Sequence, residues 1–385
     1  MYAIDATFLE KEEIETGQVH VSFSIFLLEL LEAFDKLGYS DQICVIINYN
    51  AKKFMQERFP RFHYCIVTWK PLELLYVLTK GKKTGTEYLK KLGFFRRKIK
   101  RGKFDCVWLP LGEPLDIMAK NVTYFCTIHD LMYYHGNGPK PQKRLEKVVV
   151  NSKHVVTISE FIKHDVVSSF PYDEKNITVI PNSITMSESN MKVVKGIRNK
   201  FILDINGYGK HKNTLTLIKA FHNIYKKYSD IDLVCCGGWM SPEYYDELLT
   251  YVSENGLKDR VHLLYRIPEP EKNWLLHNAT VFVTPSTNEG FGRTPVEAAL
   301  CKIPVISTKA ASLYEVTKGL VHYYENPYDD KELTSILINV IEKPESDAVL
   351  KKISEELRET YSAINCALKY WDIFDKVREG KHENI

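Results

Sequence analysis

The sequence predicts an α/β fold built from two doubly wound parallel sheets, one in each half of the chain. Three observations carry that prediction. Short strand-like runs alternate with helical stretches along nearly the whole length, the pattern of helices layered on a parallel sheet. The runs are apolar throughout, as strands are when helices cover both sheet faces. A polar stretch at 185–200, "TMSESNMKVVKGIRNK", interrupts the alternation and reads as an interdomain linker. The 385 residues suffice for two domains.

"YAIDA" (2–6) reads as the opening strand. A turn at Thr16-Gly17 precedes a helix whose apolar face includes Phe23, Leu27, Leu30, Leu31 and Phe34, ending near Gly38. "QICVIIN", "HYCIVTW", "FDCVWLP", "YFCTIHD", "HVVTIS" and "ITVIPNS" follow as strands of the first domain. In the second, "FILDING" leads into a helix from about Asn213 to Tyr228, and "DLVCCGG" into one near 242–254. "RVHLLYR" precedes a short helix near 270–278, and "TVFVTPS" a helix from about Pro295; "PVIST" and "LVHYYE" complete the sheet. Three helical stretches close the chain, the last carrying Leu368, Trp371, Ile373 and Phe374. Two Rossmann-like domains facing a central cleft are expected, over 1–184 and 200–362.

Composition excludes several classes. Hydrophobic residues make up 44% and charged residues 26%, as in soluble globular chains. A net charge of +3 supplies no global field for nucleic acid. The opening "MYAIDATFLEKEEIE" lacks the pattern of a signal peptide. No apolar run reaches the roughly 18–20 residues of a membrane span; Glu29 and Glu32 interrupt the greasiest one. A cytoplasmic protein is expected. The eight cysteines include no C-x-x-C pair. Cys44, Cys65, Cys106, Cys126, Cys235 and Cys236 fall in strand-like runs and read as buried, reduced thiols.

Open parallel sheets bind ligands beyond the carboxyl ends of their strands, so the loops there hold the candidate chemistry. "TVFVTPSTNEGFGRTPVEAAL" is a strand, a glycine-bearing loop and a helix. The helix start offers unpaired N–H groups and a positive dipole end for a phosphate, with Thr294 as cap and Pro295 at the first helical position. Glu289 on the loop suits sugar hydroxyls. Glu297 has two readings: acceptor for the two hydroxyls of a ribose, or partner of Thr294 in a capping box. "GYGKHKN" (207–213) also follows a strand, and there Lys210 and Lys212 either neutralise a diphosphate or point to solvent. It is not a Walker A loop. "TIHDLMYYH" places His129 at a strand end as general base or hydroxyl ligand, with Asp130 orienting it or capping the next turn. No histidine or cysteine pair has zinc-ligand spacing with a third ligand in support. Asp230-x-Asp232 precedes a strand and reads as a helix-to-strand turn. Residues 80–103 hold eleven Lys and Arg against one Glu, with Phe94 and Phe95 among them. They read as a solvated helix or as a surface for an anionic membrane or an acidic polymer.

Together these stretches resemble the retaining glycosyltransferases of family 4, of GT-B architecture. "PSTNEGFGRTPVEAALCKIPVISTKAASLYEV" looks like that family's signature of two glutamates separated by seven residues. "VVTISEFIKHDVV…ITVIPNSI", "YAIDA…TGQV" and "TIHDL" resemble its other landmarks. The final helix, at about 363–385, looks like the segment that crosses back to the first domain. The resemblance implies catalytic roles for His129, beside the donor sugar, for Glu289, on that sugar, and for Lys212, on the diphosphate. It places donor contacts at Gly17, at the Phe291 and Gly292 backbone and at Glu297 on the ribose. Lys210, Arg293 and the helix start at Thr294 are added as phosphate ligands. One departure stands out: many members carry an Arg in the loop where Asn206-Gly207 stands here.

The implied reaction moves mannose or another hexose or deoxyhexose from a nucleotide-diphosphate sugar to a glycan or lipid-linked glycan, with retention. The nucleotide sugar is a co-substrate; no cofactor, metal or nucleic acid is implied. Surface polysaccharide or glycoconjugate synthesis is the expected context, with peripheral attachment to the cytoplasmic membrane face through 80–103. Two alternatives use the same fold: a sugar-nucleotide epimerase, and a non-catalytic partner subunit of a transferase complex.

Overall fold

The computed structural model describes residues 1–9, 22–68, 94–111, 118–132, 139–186, 191–198, 200–238 and 241–379. Gly17, His135 and residues 80–93 of the basic stretch lie outside them. The chain divides into two compact units: Met1–Ser183 with Ser362–Ile385, and Ile184–Tyr361.

The first unit runs β1 (Tyr2–Asp5), α1 (Ser22–Lys36), β2 (Ile43–Ile47), α2 (Lys52–Arg58), β3 (His63–Ile66), α3 (Phe94–Gly102), β4 (Val107–Leu109), β5 (Tyr124–Ile128), α4 (Pro139–Asn151), β6 (His154–Thr157), α5 (Glu160–Ser169) and β7 (Ile177–Val179). Its strands pair in parallel in the order β3-β2-β1-β4-β5-β6-β7. The second unit runs β8 (Lys200–Ile205), α6 (Thr214–Ile224), β9 (Ile231–Gly237), α7 (Pro242–Glu254), β10 (Val261–Tyr265), α8 (Glu269–Asn278), β11 (Val281–Thr284), α9 (Arg293–Leu300), β12 (Val305–Thr308), α10 (Leu313–Val316), β13 (His322–Tyr324), α11 (Asp330–Glu342) and α12 (Asp347–Thr360). Its parallel order is β10-β9-β8-β11-β12-β13. Each order starts at a central strand, runs to one edge, then returns to fill the other. Both units are therefore doubly wound and Rossmann-like. Every strand quoted from the sequence is present at its quoted run, with β8 and β9 each beginning one residue earlier, because strands covered by helices on both faces read as near-continuous apolar runs.

The last helix, α13 (Ala363–Glu379), belongs to the first unit and closes its core. Cys366, Ala367, Tyr370, Phe374 and Val377 form its buried stripe against Phe34 and Trp108. The Tyr370 hydroxyl lies 3.1 Å from Thr127 Oγ1, and Trp371 stacks on Tyr39 at 3.9 Å between ring centroids. Leu368 of the same helix is exposed, because it falls outside that stripe.

The described parts of the polar stretch before β8 are tied to the second unit. Lys192 N–H donates to the Pro270 carbonyl, and Arg198 Nη1 donates to Asp232 at 2.6 Å. Asp232 is not a turn residue: it lies inside β9, buried, held by Arg198, Arg260 at 3.1 Å and His262 at 2.9 Å. Cys65 is only half-buried, whereas the other five cysteines named above are buried, and all eight are free thiols.

Candidate functional site

In the second unit the strand order reverses between β8 and β11, the place where open parallel sheets bind ligands. The loop after β8 and the loop after β11 meet there. The first loop leaves β8 at Asn206, whose N–H donates to the Cys236 carbonyl on the neighbouring strand. Tyr208 anchors it from below: its buried hydroxyl donates toward the carbonyls of Cys235 at 2.7 Å and Leu264 at 2.9 Å. Lys210–Lys212 form a single 3-10 turn, and Asn213 then takes a left-handed conformation (φ 55°) before α6 begins at Thr214. The Asn213 amide ties this turn to the Pro285 carbonyl at 3.1 Å and the Pro327 carbonyl at 2.6 Å. Thr287 donates its N–H to the His211 carbonyl at 2.8 Å, joining the two loops directly.

That stitching brings Lys212 and Glu289 together, 77 positions apart in sequence. Lys212 Nζ lies 2.6 Å from Glu289 Oε1, with both side chains about one-seventh exposed. The Ser312 hydroxyl donates to the Glu289 carbonyl at 2.7 Å, so the loop is fixed on its far side too. An ammonium has three N–H donors. One is used on Glu289, and that bond orients the others.

The second glutamate is placed differently. α9 begins at Arg293, two residues before the expected start, with Gly292 as its N-cap at φ 82°. Thr294 is therefore not the cap but the second helical residue. Glycine at 292 is required twice over, because a Cβ there would lie 2.5 Å from Leu313 Cδ2 in a left-handed conformation. Glu297 is buried. Its Oε1 accepts from Arg293 Nε at 2.7 Å, and its Oε2 lies 3.6 Å from Lys272 Nζ. Among the described residues, these cations hold the carboxylate in place of the Thr294 N–H. Burial would push this carboxyl up, but the two cations more than offset it and hold its pKa below the ordinary glutamate value. Arg293, expected as a phosphate ligand, is paired with Glu297. Phe291 is buried, its ring meeting Tyr361 edge-on at 5.5 Å. Lys210 is exposed at the rim of its turn.

His129 belongs to the first unit and follows β5. Phe23 and Phe26 pack edge-on against its ring at 4.9 and 5.1 Å. Nε2 lies 2.9 Å from the Pro110 carbonyl. A carbonyl only accepts, so Nε2 carries the proton and Nδ1 keeps its lone pair. Burial pulls the imidazole pKa down to about 4, so the ring is neutral at physiological pH and suits a hydroxyl donor better than a phosphate.

Sequence reasoning missed Asp204. It sits in β8, fully buried under the lysine loop. Its Oδ1 accepts from Asn206 Nδ2 at 2.6 Å, and its Oδ2 from Thr214 Oγ1 at 3.4 Å. Burial raises its pKa from 3.8 to about 7. The unfolded carboxyl ionises near 4, while the folded one keeps its proton to about 7. Stability therefore falls as pH rises from about 4 to 7 and is level above, at about 1.4 kcal/mol for each pH unit of separation. Asp204→Asn retains both hydrogen-bonding positions and cannot ionise. Its Tm relative to the parent is expected to be higher at pH 8 than at pH 5. A Tm difference that is the same at both pH values would refute this.

Comparison with known proteins places the fold and the family. Residues 24–188 match the family model described as Glycosyltransferase Family 4, and residues 187–357 the model described as Glycosyl transferases group 1. The chain belongs to the family 4 glycosyltransferases, of GT-B architecture. It is similar to the O-antigen chain mannosyltransferase RfbU of Salmonella typhimurium, at 30% identity over 57% of this chain and 61% of that protein. It is also similar to the phosphatidylinositol N-acetylglucosaminyltransferase gpi3 subunit of Schizosaccharomyces pombe, at 25% identity over 65% of this chain and 55% of that one. The chain thus spans about three fifths of the length of the curated relatives it matches. Among solved structures, Anabaena HepE in complex with UDP and glucose superposes with a TM-score of 0.69 at 14% identity, covering 97% of this chain and 99% of that one.

Proposed function

We propose that this protein transfers a sugar from a nucleotide-diphosphate donor to a hydroxyl of a glycan or lipid-linked glycan, with retention at the anomeric carbon. The observation that carries this reading is the Lys212–Glu289 pair at the switch point of the second sheet. In the transition state the departing diphosphate gains negative charge. Lys212, already oriented by Glu289, is the fixed cation for that charge, and the first turn of α9 adds its dipole. Glu289 accepts from hydroxyls of the transferred sugar. Glu297 accepts from the ribose. Lys210 stands where it can assist Lys212 in place of the arginine that many family members carry. His129, neutral and with a lone pair on Nδ1, takes a sugar hydroxyl, and Gly17 is assigned to the diphosphate. No carboxylate is assigned as nucleophile, which agrees with same-face attack assisted by the leaving phosphate.

The relatives' names support a hexose such as mannose and an acceptor in surface glycoconjugate synthesis. Among the described residues no helix is long and apolar enough to cross a membrane. α3, with Arg97, Lys100 and Arg101 exposed and Ile99 buried, supports peripheral attachment to anionic lipid on the cytoplasmic face. Purified protein tests the whole reading. GDP, UDP or dTDP sugar is expected to raise the Tm, since a ligand that binds only the folded state stabilises it. The acceptor assay should yield an α-glycoside from an α-linked donor, and flotation should require acidic lipid. An epimerised nucleotide in place of a glycoside would establish the epimerase alternative. No binding and no donor hydrolysis would leave the partner-subunit one. Flotation without acidic lipid would remove the membrane role alone.

A further inference from the structure

Lys272, one of the two cations beside Glu297, has no functional role assigned so far, and its surroundings are unusual for a lysine. It lies on α8, where Asn273, Leu275 and Leu276 are buried, and its own side chain is only 16% exposed. Its ammonium is 3.0 Å from Glu269 Oε1, one turn back on the exposed side, and 3.6 Å from Glu297 Oε2. Arg293 Nε holds the other oxygen of Glu297 at 2.7 Å. One carboxylate, 4% exposed, is thus gripped by cations from two helices. Burial lowers a lysine pKa, but Glu297 and Glu269 reverse that and hold it above its ordinary value.

Stability alone does not account for this arrangement. A buried ion pair is commonly no better than well-packed apolar side chains of the same volume, and a leucine at 272 would fill the α8–α9 seam. A specific demand on Glu297 does account for it. An ionised carboxylate has about four acceptor positions, two on each oxygen. Arg293 donates to Oε1 at 2.7 Å, and Lys272 stands beside Oε2 as a charge at 3.6 Å. Among the described residues, that leaves a carboxylate that stays charged, resists rotation and keeps acceptor positions on both oxygens. A vicinal diol offers two donors with matching spacing.

We propose that Lys272 is a positioning residue for nucleotide recognition: with Arg293 it locks Glu297 as a two-point acceptor for the 2′- and 3′-hydroxyls of the donor ribose. This rests on the assignment of Glu297 to the ribose, and the experiment separates the two. Binding of GDP and UDP, each beside its 2′-deoxy and 3′-deoxy counterparts, is measured by calorimetry for the parent, Lys272→Gln, Lys272→Arg and Glu297→Gln. Lys272→Gln is expected to weaken the better-bound ribonucleotide roughly tenfold, the scale of one charge-assisted hydrogen bond. It should change binding of the deoxy counterparts by less than about twofold. Lys272→Arg should keep the preference for ribose. If Lys272→Gln weakens ribo- and deoxynucleotides equally, or neither, the positioning role is overturned while the ribose assignment stands. If Glu297→Gln leaves the preference for ribose intact, or neither nucleotide binds the parent, the assignment falls and the proposal with it. Should Lys272→Gln prove unstable, Lys272→Leu removes the charge while filling the seam, and the same outcomes apply.

Discussion

Lys212→Met is expected to lower the rate of sugar transfer by roughly 10²- to 10³-fold, the loss typical for one preorganised donor facing developing charge. The effect should fall mainly on kcat, because the diphosphate carries more charge as it leaves than when it arrives bound to the sugar. The substitution has a second consequence. Glu289 is mostly buried and loses its 2.6 Å partner, so the folded state is left with a poorly compensated carboxylate. That costs up to a few kcal/mol. The double variant Lys212→Met/Glu289→Gln removes the stranded charge. It should recover much of the lost Tm while transfer stays at least as slow. If the single variant loses less than about tenfold in kcat, Lys212 is not the cation that meets the leaving group.

Gly237→Ala is expected to damage the fold more than any other single methyl added at the glycines near this site. A Cβ at 237 would lie 1.5 Å from the Asn206 carbonyl oxygen and 3.0 Å from the Gly207 Cα. Both are backbone atoms, so no rotamer change relieves the clash. β9 and β8 are adjacent, with Ile205 opposite Cys236, and the lysine loop leaves β8 across the face of Gly237. The methyl group must push that loop away or part the two strands. A loss of about 3 kcal/mol or more is expected, which for a unit of this size lowers Tm by roughly 6–12 °C. Gly238→Ala is the control. Its Cβ would meet only the flexible Arg266 side chain, at 3.4 Å, and should be tolerated. Equal Tm values for the two variants would show that the close approach at Gly237 is not a constraint.

The strands were legible because their chemistry is local. A run such as Ile43–Ile47 is buried at every position, and burial on both faces imposes an apolar residue at every step. The helix near 242–254 was legible, and in the structure Ser241 caps it by accepting from the Tyr244 N–H just before Pro242 opens α7. The start of α9 was misplaced because its cap is made by backbone conformation. Thr294-Pro295 carries the usual signal, but the turn actually closes at Gly292, where a left-handed φ and the pressure of Leu313 leave room only for hydrogen.

Charged residues divide in the same way. Glu289, Glu297 and Lys212 stood out because they follow strands and flank glycines. Lys272 and Asp204 did not, since their significance lies in partners distant in sequence. Lys272 precedes Glu297 by a whole strand and loop. Asp204 resembles any polar residue in a strand until Asn206 and Thr214 are seen to close over it. Asp232 misled because nearby Asp230 is exposed and pairs with Lys200. Two positions on, the strand turns Asp232 inward among Arg198, Arg260 and His262.

The sequence by itself determined the two doubly wound sheets and the loops that carry chemistry. Hydrophobic runs, strand length and glycine placement are local quantities that every folding route must respect. The tertiary structure alone decided which charges meet. Lys212 reaches Glu289 because β8 and β11 are neighbours only where the strand order reverses. Glu297 is gripped from two sides because α8 packs beside α9. Ion pairs depend on distances of a few ångströms between side chains, and those distances are set by the packing of elements that the chain itself holds tens of residues apart.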